Sequence, residues 1–148
     1  LKNKILVPVN NYETSKAVLN YLIGLSLCPD KAGVTLLHIL RVPSGGEELM
    51  GKKYMQKEPE KINALMVDAR EELIEAGFIE SAINTEVVQG QFPTVADGII
   101  DYFKKNHHTM VVIGRKKLSK AEEFVLGDVS IKLVRALENT AVVVVKTI

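Results

Sequence analysis

The sequence predicts an open, parallel, doubly wound α/β sheet of five strands and four helices, and three observations predict it. Short apolar runs without polar alternation recur at KILVPV, VTLLHIL, MVVIG and AVVVV, each rich in Val and Ile; such runs suit strands covered on both faces. The segments between them repeat their apolar residues at helical spacing. Strand and helix therefore alternate along the chain, as right-handed crossovers between parallel strands require.

In chain order, KILVPV (4–9) is the first strand, and Val18, Leu22 and Leu25 mark the buried stripe of the first helix. VTLLHIL (34–40) is the second strand. The stretch from Pro43 to Glu58, PSGGEELMGKKYMQKE, is long for a connection in a compact domain. It reads either as a mobile lid or partner-binding surface, or as a short helix over the sheet's end that buries Leu49, Met50, Tyr54 and Met55; Ser44-Gly45-Gly46 within it reads as a flexible turn. Ile62, Leu65, Met66, Ala69 and Leu73 form the second helix, and Gly77 stands where a left-handed C-cap would stop it. INTEVVQ (83–89) differs from the other strands because Asn84 and Glu86 interrupt its apolar face, which marks an edge strand. Thr94 is placed to N-cap the third helix with Asp97 as a first-turn acid, over the stripe Val95, Ile99 and Tyr102. MVVIG (110–114) is the fourth strand; Val129, Leu133 and Ala136 mark the last helix, and AVVVV (141–145) the closing strand.

The chain has 148 residues, 47% of them apolar, and a net charge of +1, enough for one domain, 1–148, with a proper core. A near-neutral balance argues against general nucleic-acid binding, which needs clustered Lys and Arg. A single cysteine, Cys28, excludes an internal disulfide and reads as a small hydrophobe in a reducing compartment. No stretch approaches a membrane span and no secretory signal pattern opens the chain, so a cytoplasmic protein without membrane contact is expected.

Ligands in such sheets bind beyond the carboxyl ends of the strands, where the strand order reverses. Three loops come into view there: Asn10 to Thr14, Arg41 onward, and Gly114 to Gly127. Nothing at these positions assembles a Ser/His/Asp or Cys/His arrangement, so no catalytic residue is assigned. His107 and His108 are adjacent and no ligand cluster accompanies them, which reads as a surface loop and not a metal site. His38, inside an apolar strand, reads as a hydrogen-bonded core histidine.

Several segments, in order and at fixed separations, carry a resemblance: KILVPVN, LLHIL, GQFP before the third helix, and VVIGRKKLSKAEEFVLGDVSIKLVRALENTAVVVVK to the finish. The whole chain resembles the universal stress protein family. That resemblance implies a Rossmann-like sheet ordered 3-2-1-4-5, a homodimer joined through the last strand (Ala141, Val142, Val143, Val144 and Val145), and in one branch a bound ATP. It also leaves room for an accessory domain of a transporter or kinase.

The nucleotide-binding branch carries G-x2-G-x9-G-[ST] after the fourth strand and an Asp at the end of the first. Here Gly114 fills the first glycine position, Lys117 the second and Gly127 the third, while Asp128 takes the hydroxyl position and Asn10 stands where the Asp belongs. By resemblance, Val9, Asn10 and Ile39 lie near base and sugar, and Gly114, Lys117, Gly127, Asp128 and Val129 near the phosphates. A glycine in a phosphate loop lets the backbone approach the anion; Lys117 either obstructs that approach or offers an ammonium to it. Asp128, expected at the start of the last helix, can take the free N–H groups itself. Its charge would repel a triphosphate by about 1 kcal/mol in water and about 4 kcal/mol at surface-like dielectric. Asn10 keeps an acceptor but loses the charge that strengthens a bond to ribose hydroxyls. Arg115, Lys116 and Lys117 read as a solvated basic loop offset by Glu122 and Glu123, with charge pairing to a phosphorylated ligand as the alternative.

The expected function is therefore a non-catalytic stress-response or regulatory protein, dimeric, acting through protein contacts with a partner the sequence does not identify. No cofactor is expected on this reading. The alternative is a nucleotide-dependent switch that holds ATP or AMP, and only then could weak ATPase activity arise.

Overall fold

Strands apolar on both faces can be satisfied only by helices on both faces, and the chain forms that three-layer arrangement. The computed structural model describes residues 3–10, 12–25, 29–42, 52–116, 120 and 129–147, with backbone alone at Tyr12 and 52–59. The strands are β1 (Asn3–Pro8), β2 (Ala32–Arg41), β3 (Ile83–Gly90), β4 (Met110–Lys116) and β5 (Ala141–Thr147); the helices are α1 (Tyr12–Gly24), α2 (Lys52–Glu75), α3 (Val95–Lys105) and α4 (Val129–Ala136). All strand pairings are parallel and the order is β3-β2-β1-β4-β5.

Alternation along the strands sorts the core into two halves. Ile5, Val7, Val34, Leu36 and Val112 pack against Val18, Leu19 and Leu22 of α1 and Ile62, Met66, Ala69 and Leu73 of α2. Leu6, Leu37, Ile39, Val111 and Ile113 pack on the other face against Ile99 and Phe103 of α3 and Leu133 of α4. Lys16 of α1 also pairs with Glu72 of α2.

The expected element ends form as the residue types require. Thr94 accepts from the Asp97 backbone N–H while the Asp97 carboxylate accepts from the Thr94 N–H at 3.0 Å, a complete capping box. At the end of α2, Phe78 N–H donates to Leu73 and Gly77 N–H to Ile74, the paired bonds of a Schellman turn, with Phe78 and Leu73 both buried. Gly77 has φ +102°, and a Cβ there would meet only Pro29 at 3.8 Å. Backbone conformation alone therefore opposes a side chain. Gly77→Ala is expected to lower stability by about 1–2 kcal/mol, read as a reduced urea midpoint with unchanged slope.

Three expectations shift. The buried face of α3 centres on Ala96, Ile99 and Phe103, while Val95 and Tyr102 flank it; that of α4 centres on Ser130 and Leu133, leaving Val129 36% exposed. Backbone from Lys52 onward is already helical and continuous with α2, so the later part of the long connection joins that helix. Residues 43–51, with Ser44-Gly45-Gly46, Leu49 and Met50, lie outside the described residues, as do Cys28, Glu122 and Glu123. Lastly, His108 is buried, although the adjacent pair reads in sequence as a surface loop.

Candidate functional site

The order of strands places the reversal between β1 and β4, and there the two strands part. Their pairing covers Ile5↔Met110 and Leu6↔Val111, whereas β4 and β5 stay paired as far as Lys116↔Thr147. The start of α1 enters the gap that opens. At Gly114 an added Cβ would lie 2.6 Å from Thr14 Cβ and 2.9 Å from the Thr14 carbonyl oxygen. The first glycine of the phosphate motif is thus pressed against α1.

The carboxyl end of β1 is held from the β2 side. Val9 N–H donates to the Leu37 carbonyl at 2.7 Å, and the Val9 carbonyl lies 2.7 Å from His38 Nδ1. A carbonyl can only accept, so His38 donates from Nδ1; it is the buried, hydrogen-bonded histidine that the sequence predicts. The arrangement fixes the backbone just ahead of Asn10, which is exposed. Val9 and Ile39 are buried, at 1% and 4% exposure. Ile39 is covered by α3, where a Cβ on Gly98 would lie 2.5 Å from Ile39 Cγ2 and 3.1 Å from Phe92.

The GQFP segment has a steric explanation as well. Phe92 lies across Gly90, leaving a hypothetical Cβ there 2.8 Å from its ring, and its carbonyl accepts from Arg41 Nε at 3.1 Å. Arg41 thereby ties the end of β2 to the entry of α3. Lys132 of α4 approaches Thr94 Oγ1 at 3.4 Å. The Asp97 carboxyl is held below the ordinary carboxylate range, chiefly by the hydrogen bond from the Thr94 side chain and further by the Lys132 charge.

Of the basic run, Arg115 and Lys116 close β4, whereas Lys117 and the expected counter-charges Glu122 and Glu123 lie outside the described residues. Lys116 pairs with Glu13 of α1 at 3.8 Å, both side chains being largely exposed, and Arg115 is engaged too. An exposed pair of this kind contributes little to stability, but it brings a carboxylate into the same opening as the basic loop. Among the predicted site residues, Gly114 lies where the strands part, Val9 and Asn10 follow β1, Ile39 sits under α3 and Val129 opens α4. Lys117, Gly127 and Asp128 lie outside the described residues. Thr14 and Glu13, which no sequence motif singled out, are the residues that meet Gly114 and Lys116. Among the described residues no cluster of three or more His, Cys, Asp or Glu could hold a metal, and no helix is long and apolar enough to cross a membrane.

A search of curated proteins returned no match. Solved structures share the fold. The structure of the hypothetical protein MJ0577 aligns with a TM-score of 0.72 at 21% identity, covering 99% of this chain and 96% of that one. A universal stress protein family protein from Arabidopsis thaliana with AMP bound aligns at 0.67 and 18% identity, covering 99% and 92%. A universal stress protein from Archaeoglobus fulgidus in complex with dAMP aligns at 0.60 and 16% identity, covering 97% and 98%. With the fold matched across these chains and the Universal stress protein family profile matching residues 2–146, the chain belongs to the universal stress protein family.

Proposed function

We propose that the chain is a non-catalytic regulatory protein that works through protein contacts as a homodimer and binds ATP weakly or not at all. The crowding at Gly114 carries this reading. A glycine retained from the phosphate motif usually argues for an anion, but here contact with Thr14 already requires it. Gly127 is then the only motif position left unaltered and without another assigned role, with Lys117, Asp128 and Asn10 in place of a glycine, a hydroxyl and an acid.

The proposed dimer is supported by β5, which is the outermost strand and carries no charge from Ala141 to Val145; an apolar edge invites pairing with a second copy. On α4, Lys132 reaches α3, so Ile131 and Val134, 49% and 60% exposed, lie on the side away from it and extend the apolar surface. The AMP and dAMP held by two relatives favour the alternative, a nucleotide-dependent switch using Val9, Asn10, Ile39, Gly114, Lys117, Gly127, Asp128 and Val129.

Titration calorimetry with ATP and AMP separates the two. The unaltered chain is expected to bind ATP with a dissociation constant of about 1 mM or weaker. The Lys117→Gly, Asp128→Ser double variant is expected to gain about fivefold to several hundredfold, the range set by removing the Asp128 repulsion. Tight binding by the unaltered chain overturns the proposal. Failure of both to bind assigns the loss to Asn10 or to the opening itself.

A further inference from the structure

At the opposite end of the sheet, four residues between α3 and β4 hold together almost every central element. Asn106 closes α3, its N–H donating to the Tyr102 carbonyl at 2.9 Å. His107 Nε2 is 3.0 Å from the Asn139 carbonyl in the turn before β5. Thr109 exchanges three bonds with Lys4 of β1, and its carbonyl accepts from Ala141 N–H at the start of β5 at 3.0 Å. His108, 5% exposed, joins this corner to β2: Nδ1 is 2.7 Å from the Asn106 carbonyl and Nε2 is 3.1 Å from Thr35 Oγ1.

Those partners fix one protonation state. The Asn106 carbonyl only accepts, so Nδ1 carries the hydrogen; Nε2 presents its lone pair and Thr35 donates to it. A second proton would have to enter at Nε2, between the ring and a hydroxyl already donating, so Thr35 would have to reverse its bond. Of the groups around the ring, the Asn106 carbonyl favours the cation, though by less than burial disfavours it. Lys4 of β1 and His107 of the same corner oppose it. Tyr102 of α3 stacks obliquely on it, with ring centroids 6.2 Å apart. Lys105, also of α3, and Glu86 of β3 share the groove of about 900 Å³ that the ring borders; Lys105 is paired with Asp101.

We infer that His108 is an acid-sensitive latch: protonation reverses its bond to Thr35, turns the Thr35 hydroxyl hydrogen away from the ring, puts a buried charge beside Lys4, and so weakens the hold on the Asn106–Thr109 corner and the start of β5. This requires neither a nucleotide nor a second copy of the chain. Burial holds the ring's pKa below the ordinary 6.5, so the unfolded or opened chain binds the proton more readily than the closed one. The latch's contribution is complete above about 6.5 and is lost as pH falls toward the lowered value. Over that window the closed-to-open ratio drops by up to about tenfold per pH unit.

Hydrogen exchange between about pH 7.5 and about pH 5, corrected for intrinsic rates, tests it on the unaltered chain and on His108→Gln. The expected result is faster exchange of the Thr109 and Ala141 amides on acidification in the unaltered chain and no such acceleration in the variant. Ring nitrogen shifts of the unaltered chain provide a measurement that does not depend on the variant folding: they should show the Nδ1–H form and titration below 6.5. Titration at or above 6.5, or equal acid sensitivity with and without His108, overturns the inference.

Discussion

Gly114→Ala is expected to destabilise the chain by about 3 kcal/mol, the upper part of the range for forcing a methyl group into a packed interior. At roughly 2–4 °C per kcal/mol for a domain of this size, thermal unfolding should begin about 6–12 °C lower. The reason is what the methyl meets. Thr14 Cβ at 2.6 Å and the Thr14 carbonyl oxygen at 2.9 Å belong to the first turn of α1, and neither is the end of a flexible side chain that can swing aside. Relief requires moving α1 or the carboxyl end of β4. Thr14→Gly in the Gly114→Ala background should recover part of the loss, because it removes the Cβ and leaves the carbonyl; the non-additivity measures their coupling. A variant that melts like the unaltered chain would remove the packing explanation for this glycine, and with it the main support for weak nucleotide binding.

Leu133→Ala should cost about 2–5 kcal/mol, the usual range for emptying a fully buried leucine site. Leu133 is 0% exposed and packs with Leu6, Leu37, Ile99, Val111 and Ile113. It is the central contact of an eight-residue helix, too short to persist in water on propensity alone. The urea midpoint should fall with little change in slope. Val134→Ala, one residue on and 60% exposed, should change stability by no more than about 0.5 kcal/mol. Equal effects from the two substitutions would contradict the placement of α4 on the sheet.

The contrast between Leu133 and Val134 also shows what pattern reading can and cannot resolve. Runs apolar on both faces identified the central strands, and Asn84 and Glu86 identified β3 as an edge. Thr94 with Asp97, and Gly77, marked helix ends because their chemistry is local. The phase of α3 was not legible: the stripe Val95, Ile99, Tyr102 and the observed Ala96, Ile99, Phe103 share their central residue and differ by a small rotation. Both sets have helical spacing, so periodicity does not choose between them; closest approach to the sheet needs small groups, and Gly98 lies where a Cβ would meet Ile39. Ser130 is likewise buried while the more apolar Val129 is 36% exposed.

At the candidate site, the motif positions could be read because the family spacing is local to one loop. Their packing could not. Gly114 meets Thr14 and Lys116 meets Glu13 across the fold, and no local periodicity encodes either meeting. The same holds for His108 and Thr35, 73 residues apart. Adjacency suggested a surface loop for both neighbouring imidazoles; only the tertiary contact determines that His108 turns inward.

Parting of β1 from β4 after Leu6↔Val111 has a mechanical consequence. The sheet is two stiff panels, β3-β2-β1 and β4-β5, sewn together at one end by those two pairs and by the Thr109–Lys4 bonds just below them. Beyond that seam the panels are held by side chains, α1 packing with Val7 and Val112 on one face and Leu133 with Leu6, Leu37 and Ile113 on the other, so widening there would cost core contacts and no rung of either ladder.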